Sequence, residues 1–150
     1  MKTRRPAALA GAAVLGALAL TACSVDKPTP LVTLVAGSTS VHSEADCYDT
    51  KGLDEARIEK CLADSKPKTI KVPEGNSFSI GVDNDIADTG WQVLVNGKEQ
   101  TEATMKTTYY SGLRLSYGEP AEGSKPLPVQ IIERKGEKIR GVWTFLVEKK

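Results

Sequence analysis

Three thiols, one imidazole and a run of closely spaced carboxylates carry most of the reactive chemistry in this chain of 150 residues. The thiols are Cys23, Cys47 and Cys61. The imidazole is His42, and the carboxylates are Asp83, Asp85 and Asp88 within Asp83-Asn84-Asp85-Ile86-Ala87-Asp88-Thr89-Gly90-Trp91. A single histidine can serve a nucleophile only if a carboxylate orients it and a hydroxyl or thiol lies close by. Ser43 and Glu44 follow His42, but neighbouring residues on a strand point to opposite faces, and no nucleophile elbow accompanies them. No catalytic residue is assigned on these grounds. A copper site of the plastocyanin type needs two histidines and a free cysteine, which the composition does not supply.

The three aspartates suggest a cation first. Calcium takes six to eight oxygen ligands, and clustered Asp residues on a loop can provide them. Here Ile86 and Ala87 stand where ligands would be needed, and no bidentate Glu closes the segment. The reading is therefore a solvated turn rather than a metal loop, and the metal assignment is none. Asp83, Asp85, Asp88, Thr89, Gly90 and Trp91 remain the candidate binding loop, expected to join two strands. Asp88-Thr89-Gly90-Trp91 also resembles the Thr-Thr-Gly-aromatic loop of the chagasin-type cysteine protease inhibitors, small immunoglobulin-like domains whose loops plug a protease cleft. Asp88 replaces the first Thr, and the preceding Asn-Pro of that family is missing. The plainer reading makes Trp91 a core aromatic.

Cys23 belongs to a different chemistry. Lys2, Arg4 and Arg5 precede an uncharged run of 14 residues, Ala7 to Leu20, the charged and apolar parts of an export signal. A bilayer core of about 30 Å needs about 20 apolar residues in a helix, so this run is short for a permanent span. Leu20-Thr21-Ala22-Cys23 resembles the lipobox of bacterial prolipoproteins. That resemblance implies cleavage after residue 22 and a diacylglyceryl group on Cys23. Two acyl chains hold a protein on a membrane where one holds it only marginally. Thr3-Arg4-Arg5 is similar to a twin-arginine signal, but Pro6 and Ala7 follow where hydrophobic residues are usual, so the export route stays open. The expected location is the outer face of the bacterial cytoplasmic membrane.

Loss of residues 1–22 removes three positive charges and no negative ones, leaving 17 Lys and Arg against 19 Asp and Glu. A net charge of −2 offers no footprint for nucleic acid and no polybasic support on anionic lipid. The remaining 128 residues suit one domain. Cys47 and Cys61 then form an even pair in an oxidising compartment, which reads as a disulfide. Their spacing is too wide for a redox C-x-x-C, and zinc would require more ligands.

The elements that must position these groups are mainly strands. Residues 23–30 form a lipidated, proline-containing tether, and residues 31–150 form the domain. Leu31 to Ala36 and Thr39 to Ser43 read as strands. Asp54 to Ala63 reads as a helix, with Asp54 as its cap and Ile58, Cys61 and Leu62 on one face. Thr69 to Val72 follows as a strand. Phe78, Ile80 and Val82 alternate with small residues, and so do Trp91, Val93 and Val95 with polar ones. Asn96-Gly97 signals a tight hairpin. Thr107 to Tyr110 and Leu113 to Tyr117 read as two further strands, and Gly118 to Pro128 as a polar loop. Pro128 to Arg134 and Arg140 to Glu148 close the chain as a hairpin, with Trp143, Phe145 and Val147 on one side of a central strand. The fold expected is an immunoglobulin-like β-sandwich with one short disulfide-tied helix.

Over its mature length the chain resembles a family of uncharacterised actinomycete lipoproteins. The resemblance rests on Asp26-Lys27-Pro28-Thr29-Pro30-Leu31-Val32-Thr33, on Ser43-Glu44-Ala45 with Cys47-Tyr48, on Asp85 to Trp91 and on Gly141-Val142-Trp143. It implies an exported lipoprotein domain and assigns no activity. The functional expectation is a lipid-anchored envelope binding or structural module without catalysis or cofactor, whose partners are the membrane and an envelope protein. The alternative is a protease inhibitor acting through Asp88 to Trp91.

Overall fold

A computed structural model describes residues 28–101, 104–114 and 125–150. The export signal, Cys23, most of the tether and much of the Gly118 to Pro128 loop lie outside the described residues. Among the described residues, no helix is long and apolar enough to cross a membrane.

The alternating sequences become two facing sheets. The first has the order β2-β1-β5-β8, built from β1 (Val32–Ala36), β2 (Thr39–Ser43), β5 (Ser77–Val82) and β8 (Tyr109–Arg114). The second contains β3 (Cys47–Tyr48), β10 (Lys138–Lys149), β9 (Leu127–Lys135), β6 (Trp91–Val95) and β7 (Lys98–Glu99) in that order. A further strand, β4 (Lys68–Val72), runs parallel to β10 from Phe145 to Lys149 on the edge that β3 shares. Among the described elements the chain changes sheet from β2 to β3, β4 to β5, β5 to β6, β7 to β8 and β8 to β9. These crossings make an immunoglobulin-like β-sandwich.

The core follows the strand period of two. Val32, Leu34, Phe78, Ile80, Val93, Val129, Ile131, Trp143, Phe145 and Val147 all point between the sheets and are buried. Trp91 opens β6 fully buried, as the plain aromatic reading required. Its indole N–H donates to the Thr107 carbonyl at 2.8 Å, and its backbone pairs with Met105. Asn96 (φ 49°) and Gly97 (φ 76°) make the β6–β7 hairpin, where both central residues need left-handed backbone.

A second, smaller cluster lies on the other face of the second sheet. Cys47, Ile132 and Val142 are buried there against Leu53, Cys61 and Leu62. Helix α1 (Glu55–Ala63) covers them, and Asp54 caps it by accepting from the Arg57 N–H at 2.8 Å. No residue of α1 is fully buried, so packing alone holds it weakly. The Cys47–Cys61 disulfide, with Cα atoms 5.8 Å apart, fastens it to the sheet as the sequence led one to expect.

Two expectations need correction. Thr107 to Tyr110 and Leu113 to Tyr117 are not two strands within the described residues: one strand, β8, runs through Gly112, and its pairing with β5 shifts register between Phe78 and Ile80. Asp83 to Trp91 is not an open loop. Asn84–Thr89 forms a short helix, α2, because Ile86 and Ala87 can then both enter the core. That burial outweighs the turn preference of the Asp and Asn residues. Gly90 ends α2 at φ 113°, and a Cβ there would come within 2.5 Å of Thr104 Cγ2.

Candidate functional site

The candidate residues meet at one end of the sandwich, its foot, where the segment Pro28 to Leu31 leads into β1. Three contacts fasten that incoming chain. Trp143 Nε1 donates to the Pro30 carbonyl at 3.0 Å, and the Ala45 N–H donates to Thr29 Oγ1 at 2.9 Å. The Leu31 N–H donates to Asp83 Oδ2 at 2.8 Å. Between this segment and α2 lies an open recess of about 660 Å³. Pro28, Pro30, Tyr48 and Thr50 line it from the chain-entry side, and Asp83, Asp85, Asp88 and Thr89 line it from α2.

The structure therefore gathers most of the predicted group at the recess and divides its roles. Asp83 holds Leu31, while Asp85 and Asp88 line the recess. Thr89 donates to the Asp85 carbonyl at 3.0 Å. Gly90 and Trp91 turn away from it into the core. Among the described residues, no three His, Cys, Asp or Glu side chains converge to hold a metal. His42 lies exposed on β2, opposite Thr33 of β1, and does not line the recess.

Several residues at the foot were not singled out by sequence. Arg140 is the extra residue of a β-bulge: Ile139 pairs with Arg134 and Gly141 with Glu133, leaving Arg140 between them. A bulge redirects a side chain, and this one turns the Arg140 guanidinium to the recess. Gly141 keeps the backbone open for the Trp143 ring, since a Cβ there would come within 2.5 Å of it. Arg140 Nη1 donates to Thr89 Oγ1 at 2.8 Å and lies 3.3 Å from Glu133 Oε1.

Glu133 is wholly buried beneath these groups. Among the described residues, neither of its oxygens receives a well-formed hydrogen bond. Burial pushes its carboxyl above the usual glutamate range, and Asp85 adds to that, while Thr89 and Arg140 pull the other way. Tyr48 stands edge-on to Trp143 with ring centroids 6.2 Å apart. Burial, with the charge of Glu133, raises its phenol as well. One signal of this arrangement was present in the sequence: in Val129-Gln130-Ile131-Ile132-Glu133, the glutamate falls on the inward phase of a core strand.

The recess thus joins an aromatic wall, two α2 carboxylates and a guanidinium whose partner is a buried acid. It can enclose a polar ligand of modest size or the tip of a partner chain. Searches of protein-family models, curated proteins and solved structures return no match to this chain.

Proposed function

We propose that this chain is a lipid-anchored, non-enzymatic binding module of the cell envelope, held by Cys23 on the outer face of the cytoplasmic membrane. Its ligand-facing surface is the foot recess. The observation that carries this reading is the Glu133–Arg140 pair beneath the recess. A buried ion pair is a poor source of stability, and apolar residues of similar size do as well or better. Polar groups set imperfectly paired under an open recess suit recognition. Only four residues lie between Cys23 and Pro28, five steps of chain with a reach of about 17 Å when extended. The recess would then open close to the membrane, towards partners at that surface.

The protease-inhibitor alternative asks Asp88 to Trp91 to enter a cleft. Trp91 is buried and the Thr89 hydroxyl is engaged by Arg140, which favours the binding module. Absence of inhibition of papain-like proteases at micromolar protein would close that alternative.

Two measurements test the proposal. Intact mass of the membrane fraction should match residues 23–150 plus a diacylglyceryl group, and Cys23→Ala should abolish it; an unlipidated, soluble wild type refutes the anchor. Wild type and the double variant D85R/D88R should then be compared for capture of envelope components. Equal capture by both refutes the recess.

A further inference from the structure

Arg140, Thr89 and Asp88 also border a second cavity, a notch of about 420 Å³ that adjoins the recess. Its charge has the opposite sign. Lys106 reaches it from the segment ahead of β8, Arg134 and Lys135 from the end of β9, and Arg140 from the bulge in β10. Asp88 is the one carboxylate among its described lining residues. In a mature chain of slightly negative charge, four cations from three stretches of backbone meet around one small volume.

These cations are not used up internally. Among the described residues, Lys106, Arg134 and Lys135 form no ion pair, and Arg140 is paired only to Glu133. Lys106 Nζ makes one long contact, 3.4 Å to the Asp88 carbonyl. The Nε atoms of both Arg134 and Arg140 are buried and have no hydrogen-bond partner among the described residues. Leaving such donors unmet is costly, as is crowding like charges. An anionic ligand in the notch relieves the crowding of like charge.

We propose that this notch is a binding site for a phosphoryl oxyanion. The tetrahedral group suits it better than a planar carboxylate. One carboxylate satisfies a single guanidinium fork, whereas a phosphoryl group offers three acceptor oxygens and up to two charges to several cations at once. The guanidinium groups of Arg134 and Arg140 supply forks, Lys106 and Lys135 supply point charges, and Thr104 adds a hydroxyl. The same chemistry is offered by a phospholipid headgroup and by a soluble phosphate ester. The inference stands apart from the reading of the recess and from the lipid anchor.

The test is calorimetric titration of the purified protein with inorganic phosphate, against chloride at matched ionic strength. Saturable binding is expected, with amide shifts centred on Lys106, Arg134, Lys135 and Gly136. Lys106→Gln, at an exposed position, and Arg134→Gln should each weaken it by about tenfold. Arg114→Gln on β8, which borders neither cavity, should leave it unchanged. Phosphatidylglycerol vesicles and glycerol 3-phosphate then separate the sources, and tighter binding of either supports the site. A response that chloride reproduces, or that survives both notch variants, overturns it.

Discussion

Val129 and Ile131 on β9 belong to the apolar cluster between the sheets, whereas Glu133, on the same side of the strand, faces Arg140, Thr89 and Asp85. All three side chains are fully buried. The middle of the strand is built as core, and its end is built as a charged floor. The next strand repeats the contrast: Phe145 and Val147 fill the interior, while Arg140 sits in a bulge that interrupts the ladder. The sandwich carries its apolar packing in the middle. Among the described residues, the buried polar side-chain atoms without a hydrogen-bond partner belong to Glu133, Arg134 and Arg140 at the foot, with Thr144 Oγ1 on β10 the one exception. The proposed function draws stability from the first region and recognition from the second.

The contrast is broken most forcefully by removing one partner of the pair. Arg140→Met leaves Glu133 buried without its counter-charge and should lower unfolding free energy by about 3 kcal/mol, the lower end for a buried pair because Arg140 is 16 % exposed. Ile131→Ala, two residues from Glu133, should cost about 2–5 kcal/mol by opening a cavity in the apolar middle. Urea midpoints measure both. The disulfide comes next. Cys61→Ser opens a loop with a sequence separation of 14 and should cost about 3 kcal/mol. Loss of α1 from the outer face of the second sheet should accompany it, seen as faster amide exchange at Ile58 and Leu62.

A smaller effect separates foot from surface by pH. Glu133 is raised by burial, so between the unfolded and the folded value, and not above both, the folded protein keeps a proton there that the unfolded chain has released. Its contribution is complete below the unfolded glutamate value of about 4.3 and is lost as pH rises through the higher folded value. Asp49 behaves oppositely. The Lys51 N–H, and then Arg57, hold its carboxyl low, so its contribution is present above the ordinary aspartate value and lost as pH falls through the lowered one. Glu133→Gln should flatten the decline above the glutamate range and leave the acid limb in place. A profile of melting temperature against pH for the two proteins reads this directly.

Much of the fold was legible because strands with one buried face announce themselves by alternation. Phe78, Ile80 and Val82 on β5, and Trp143, Phe145 and Val147 on β10, gave their strands and their inward sides. Asn96-Gly97 gave its hairpin, and the two later cysteines gave their bridge. Helix α2 was hidden because Asp83, Asn84, Asp85 and Asp88 speak for a turn, and the burial of Ile86 and Ala87 that decides the matter is tertiary. Asp83, Asp85, Asp88 and Thr89 of the predicted segment do line the recess at the foot. Its partners Tyr48, Glu133 and Arg140 come from distant segments, and a bulge between Ile139 and Gly141 leaves no signature in residue order. Only Glu133, a charge on the inward phase of an apolar strand, was there to be noticed.

The most direct test of the division between a stabilising middle and a recognising foot is the double variant Glu133→Leu/Arg140→Met, measured by urea unfolding beside Arg140→Met alone. If the pair serves the site, the double variant recovers wild-type stability or gains about 1–4 kcal/mol over it, because apolar residues replace a poorly satisfied ion pair. If the double variant is as unstable as Arg140→Met, the pair is a structural support of the sandwich, and the foot loses its claim to be kept for binding.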